Sequence, residues 1–131
     1  MDLKKQFGTN KKQELEGVWT DIGDGAQLLV ARFGNKNYKD AAKRLGAPYK
    51  AVIRAGNLKD EVSDKLTTEA LAEGVLLGWK GLKDDGKAVT YSKDEAIRLM
   101  TEYPDFRDQV LSLSTSIELF QSQEEAEVIK N

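Results

Sequence analysis

The chain has no cysteine and no histidine among its 131 residues. Without cysteine it has no disulfides, no thiolate metal ligands and no thiol nucleophile, a composition that suits a reducing compartment. Without histidine it also lacks the commonest general base and the nitrogen ligand that zinc sites favour. Any catalysis would rest on carboxylates, lysine, tyrosine or serine. The reading is therefore of a non-enzymatic protein with no cofactor and no metal. No apolar run approaches the roughly 18 residues that span a bilayer. The opening "MDLKKQFGTNKKQE" lacks the apolar core of a signal peptide, so the chain is expected to stay where it is made, with no membrane partner.

What is present fits one domain with a real core: 40% hydrophobic and 32% charged residues, with a net charge of −2. The charge is unevenly laid out. Residues 35–56 carry Lys36, Lys39, Lys43, Arg44, Lys50 and Arg54 against Asp40 alone, a net +5. Residues 112–131 carry Glu118, Glu124, Glu125 and Glu127 against Lys130, a net −3. Such asymmetry concerns partners rather than fold.

Residues 1–15 are polar, lysine-rich and without period, and read as a flexible arm. In "GVWTDIGDGAQLLVARF", Val18, Thr20 and Ile22 alternate with Trp19 and Asp21, and a Gly-Asp-Gly turn precedes a β-prone run. This is a hairpin pattern. Asp21 and Asp24 lack the further oxygen ligands of a calcium loop. Helices are predicted from Asn37 to Leu45, ending at Gly46, and again after Pro48, ending at Gly56. A longer helix capped by Asn57 is predicted to run through Leu58, Val62 and Leu66 as far as Leu82. On it Gly74, Gly78 and Gly81 would share one stripe. Each costs about 1 kcal/mol relative to alanine, so another backbone is expected to approach there, from within the fold or from a neighbouring subunit.

"GLKDDGKA", residues 81–88, stands one residue from a phosphate-binding loop. Ala88 replaces the hydroxyl that would hold magnesium, Asp84 and Asp85 would repel the anion, and the segment is expected to follow a helix rather than a strand. It reads as a turn, with Gly86 supplying positive φ. Ser92 and Glu95 then form a capping box. The last predicted helix starts at Pro104 and carries Phe106, Val110, Leu113, Ile117 and Phe120, a seam spaced 4, 3, 4, 3. That seam either closes the core or docks onto another helix.

"YKDAAKRLGAPYKAVIRAGN", residues 38–57, also admits a helix-turn-helix reading. Ala42, Gly46 and Val52 fall at its constrained positions, and Lys50 and Arg54 fall on its second helix. Small Ala47 and Ala55 stand where such units pack larger groups, so DNA binding is the lesser reading.

The hairpin, then L-L-G-W-x-G-L, an acidic-glycine turn, Y-S-x-x-x-A and P-D-F-R-D follow one another in order across residues 16–120. In this the chain resembles the tail assembly chaperones of long-tailed, siphophage-type bacteriophages. The resemblance implies a non-catalytic protein of the host cytoplasm. Such a protein binds and solubilises the tape measure protein, promotes tail-tube assembly and is absent from the mature virion. It further implies contacts with the tail-tube protein and a longer frameshifted form of the chain.

The resulting expectation is one α+β domain over residues 16–122, an N-terminal β-hairpin packed on four or five helices, with an acidic tail over 123–131. Expected client or subunit contacts are Trp79, Phe106, Val110, Leu113, Ile117 and Phe120. Lys43, Arg44, Lys50 and Arg54 are expected as basic contacts between copies. Pairing of the basic segment with the acidic tail would give a homo-oligomer, a ring or a helical array. The alternatives are the helix-turn-helix DNA-binding protein and a structural tail or connector subunit.

Overall fold

The computed structural model describes residues 1–121. The acidic segment 123–131 lies outside the described residues. The architecture is α+β, as the sequence pattern implies. Two strands, β1 (Val18–Gly23) and β2 (Ala26–Val30), form the expected hairpin. Asp24 and Gly25 at its tip both have positive φ, the backbone of a tight two-residue turn whose twist matches the strands. Four helices of ten or more residues pack around this sheet: α3 (Lys36–Gly46), α5 (Asp60–Gly74), α6 (Lys93–Glu102) and α7 (Pro104–Thr115).

The segment predicted as one helix through Leu82 is corrected. Helix α5 stops at Gly74, and β3 (Leu76–Lys80) continues as an antiparallel partner of β2. The sheet order is β1-β2-β3, so the hairpin's second strand is central. The physical reason lies in the sequence itself: Val75, Leu76, Leu77 and Trp79 are β-branched, aromatic or apolar on every side, and a short apolar run fits a buried strand as well as a helix. Nor does Asn57 cap α5; the cap position is Lys59, without a side-chain bond.

The glycine stripe accordingly dissolves into three separate roles. A Cβ on Gly74 would lie 2.6 Å from both the Cα and the N of Tyr38, so α5 and α3 touch backbone to backbone there. Gly81 has φ +72°, and a Cβ on it would lie 2.6 Å from the carbonyl oxygen of Gly25. Gly78 sits in β3 under the Trp19 ring, where a Cβ would make ordinary contact at 3.5 Å. The close approaches are intramolecular.

Beyond β3, a small hairpin pairs β4 (Lys83–Asp84) with β5 (Lys87–Ala88) around Asp85 and Gly86, both at positive φ. The turn reading of "KDDGK" holds, although Gly81 follows a strand and not a helix. What fails for a phosphate loop is the other side, since Lys87 enters a strand and the next helix begins only at Lys93. Ser92 caps that helix by accepting the Glu95 N–H at 3.0 Å.

The core joins Leu28 and Val30 of the sheet to Leu71, Val75 and Leu76, to Ala96, Leu99 and Met100 of α6, and to Val110 of α7. The expected flexible arm, residues 1–15, is instead folded into α1 (Leu3–Phe7) and α2 (Lys11–Glu16). Asn10 caps α2, its side chain accepting the Gln13 N–H. Glu14 Oε2 accepts from Arg32 Nη1 at 2.8 Å, and the Arg32 N–H reaches the Glu14 carbonyl. Local capping and one long-range ion pair thus order a stretch that shows no apolar period.

Candidate functional site

Helix α3 runs through Gly46, whose φ of −78° is helical, straight into a 3-10 turn (Ala47–Tyr49) and then α4 (Lys50–Arg54). Asn35 sets the start of α3: its side chain accepts the Tyr38 N–H and donates to the Gly74 carbonyl. One face of α3 buries Ala41 against α5. The chain leaving α3 then projects Tyr49, Val52 and Ile53 outward, and α4 buries none of its residues. Lys50 and Arg54 flank Val52 and Ile53 on α4, and Lys43 lies in the last turn of α3. The surface is a cluster of exposed apolar side chains with a basic rim. Gly56, at φ +70°, turns the chain away towards α5.

This geometry disagrees with a helix-turn-helix. Such a unit needs a sharp turn after its first helix and buries the middle of its second. Here Gly46 continues the helix, and Val52, which would anchor the second helix, is 41% exposed. Of the four basic candidates, Arg44 is partly committed to the fold. It pairs with Glu73 on α5, which Lys93 of α6 also reaches, so one carboxylate ties three helices together. The hydrogen bond from Lys93, helped by that from Arg44, holds the Glu73 carboxyl below its ordinary range against the opposing effect of burial.

The predicted contact seam divides. Val110 and Phe120 are fully buried. Trp79 is also interior: its Nε1 donates to the Val89 carbonyl at 2.7 Å, and its ring meets Tyr91 edge-on with centroids 4.8 Å apart. These three are corrected from contact to core. The seam itself is not one continuous helix, because α7 ends at Thr115 and Ser116 is extended at ψ 111°. Residues 117–121 form a further helical turn that folds back onto the N-terminal segment. There the Asn10 N–H donates to the Phe120 carbonyl, and Gln121 Nε2 donates to the Gly8 carbonyl at 2.9 Å. Leu113 and Ile117 are half-buried.

Phe106 alone of the seam lines an open groove. The groove has a volume of about 540 Å³ and is walled by Leu82, Leu99, Tyr103 and Phe106, with Lys83, Asp84, Asp105 and Gln109 at its margins. Tyr103 Oη donates to Asp84 Oδ1 at 2.6 Å, and Arg98 Nη1 donates to Asp84 Oδ2 at 2.9 Å. Those two bonds hold the Asp84 carboxyl below its ordinary range, and the bond to Asp84 pushes the Tyr103 hydroxyl up. Through these bonds Asp84 fixes the β4–β5 hairpin to Arg98 of α6 and to Tyr103. Among the described residues no cluster of three acidic, histidine or cysteine groups could hold a metal ion, and no helix is long and apolar enough to cross a membrane.

Sequence reading names the basic residues of the first surface and Phe106 of the second, but not Tyr49, Val52 and Ile53, nor Leu82 and Tyr103. The signal for the first was available: Val52 and Ile53 lie between Lys50 and Arg54 in a stretch too short to present a buried face.

Comparison with known proteins places the chain by family. Residues 33–131 match the family model described as YdaY prophage protein. That match starts just after β2 and covers well over half of the sequence, so the chain belongs to this family and is phage-derived. No curated protein and no solved structure matches it.

Proposed function

We propose that this chain is a tail assembly chaperone of a long-tailed phage. In this reading it binds and solubilises the tape measure protein, promotes tail-tube assembly around it and is left out of the mature virion. It acts in the host cytoplasm without catalysis or cofactor. The observation that carries the reading is the surface at Tyr49, Val52 and Ile53: a phage-derived chain exposes a compact apolar cluster on an element that buries nothing. An aggregation-prone helical client is shielded by apolar area with a charged rim, and that area is present here. The groove beside Phe106 supplies a second apolar strip. The order of sequence segments across residues 16–120 supports the same assignment.

Many copies along one long client would gain effective concentration through multivalency, so each contact can be weak and reversible. Lys43, Lys50 and Arg54 are the basic groups available for contact between copies or with an acidic stretch of the client. The tail-tube protein and a longer frameshifted form of the chain complete the proposed set of partners.

The test is co-expression with the tape measure protein of the same prophage. The client should be soluble and co-purify with the chain, and should precipitate when expressed alone. Mature particles should contain none of the chain. A client that stays insoluble in its presence, or a stoichiometric amount of the chain in purified tails, would overturn the assignment.

A further inference from the structure

Helix α1 is five residues long, and none of them is buried. A helix this short is marginal in water unless one face is packed. Its backbone ends are held: Asp2 Oδ1 accepts the Lys4 N–H at 3.1 Å, and the Gly8 N–H returns to the Lys4 carbonyl. Gln121 ties it to the body, with Nε2 donating to the Gln6 carbonyl at 3.1 Å and to the Gly8 carbonyl at 2.9 Å. The side chains remain uncovered. Leu3 and Phe7, four apart and so neighbours on one face, are 68% and 59% exposed. Lys11 and Lys12 pair with Glu14 and Glu16 within α2, whereas Lys4 and Lys5 form no ion pair among the described residues.

We propose that residues 122–131 of the same chain dock on α1, with Val128 and Ile129 covering Leu3 and Phe7, and Glu124, Glu125 and Glu127 facing Lys4 and Lys5. The segment follows Gln121, which is already bonded at the end of α1. Its ten residues reach about 30 Å when extended, several times the length of about 7.5 Å that α1 spans. Three glutamates against Lys130, followed by an apolar pair, match a helix that offers two lysines and an apolar pair. So short a tether gives an effective concentration in the millimolar range, and a weak contact then suffices. Lys50 and Arg54 beside Val52 and Ile53 offer similar chemistry on α4, yet it is α1 to which Gln121 is bonded. The apolar face of α1 is thus closed by its own chain, while α4 stays open. This contact does not rest on the proposed client.

A nitroxide attached through Asn131→Cys, in a chain with no cysteine of its own, tests this by the relaxation of backbone amides in the full chain. Amides from Leu3 to Phe7 should be broadened in dilute solution. The broadening should fall severalfold in high salt, in Lys4→Glu with Lys5→Glu, and in Leu3→Ser with Phe7→Ser. Both pairs of substitutions fall on exposed side chains, so the fold is expected to survive them. Broadening confined to Lys50 through Arg54, or absent from both helices, would overturn the proposal. So would broadening seen only between a nitroxide-bearing chain and a separate isotope-enriched one, because the docked segment would then belong to a second copy. Undiminished broadening in Leu3→Ser with Phe7→Ser would show nearness to Gln121 without docking, with the same consequence.

Discussion

Gly74 at the end of α5 lies directly against the backbone of Tyr38 in α3, so close that a Cβ on the glycine would sit 2.6 Å from two Tyr38 backbone atoms. Main chain cannot yield as a flexible side chain can. Gly74→Ala should therefore destabilise the domain by about 1–3 kcal/mol, the usual range for overpacking. Gly78→Ala, meeting only side chains at 3.5 Å, should cost far less by the same measure. Urea unfolding midpoints of the two variants check the contrast, and equal losses would contradict this placement of the glycines.

Glu73 gives a pH dependence whose sign follows from its partners. Hydrogen bonds from Lys93 and Arg44 depress its folded pKa below the ordinary value of 4.5. A depressed carboxylate contributes stability that is present in full above the unfolded pKa and disappears as pH falls through the folded one. Both cations are half-exposed or more, so solvent screening holds the contribution to about 1 kcal/mol. Glu73→Gln should lower stability by that amount at neutral pH and lose no more between pH 4.5 and the folded pKa. Thermal unfolding of the wild type and the variant at several pH values measures it.

The third prediction concerns Phe120, which follows the break at Ser116 yet is wholly buried. Its ring faces Arg32 at 5.9 Å, and its carbonyl accepts from Asn10. The residue pins the N-terminal helices and the end of the described chain to the same spot. Phe120→Ala should cost about 3–5 kcal/mol, as for other buried aromatics. Phe106→Ala, on the wall of the open groove, should cost clearly less. If the two losses were equal, the seam would be one packed unit rather than two.

How far the sequence was legible depends on whether a signal was local. The β1–β2 hairpin was readable because Asp24-Gly25 is a turn with a backbone requirement, and the same holds for Asp85-Gly86. The capping serine at 92 and the first-turn Pro104 act within a few residues and were placed correctly. Strand β3 was misread because Leu76 to Lys80 is apolar enough for either structure, and only its pairing with β2, some fifty residues earlier, decides between them. The order of residues 1–15 likewise depends on Arg32, Phe120 and Gln121, which no local pattern announces. The candidate site was half legible. Its basic residues stand out in the charge count, whereas Val52 and Ile53 read only as part of a short helix, and Trp79, Val110 and Phe120, listed as expected contacts although the seam could equally close the core, are core.

The last prediction separates surface from core at α4. Val52 and Ile53 are 41% and 47% exposed, so Val52→Ser with Ile53→Ser removes apolar area that already faces water. Surface changes of this kind usually alter stability by about 0.5 kcal/mol or less. The unfolding midpoint of the double variant should therefore match the wild type. Its capacity to keep a tape measure protein soluble should fall severalfold, because the apolar cluster would be gone while the fold remained. Measuring soluble client against chaperone concentration gives the result directly. A variant that unfolds early would show that α4 is packed more firmly than its exposure implies. Full solubilising activity in a stable variant would move the client contact away from α4, leaving the groove at Leu82, Tyr103 and Phe106 as the surface to alter next.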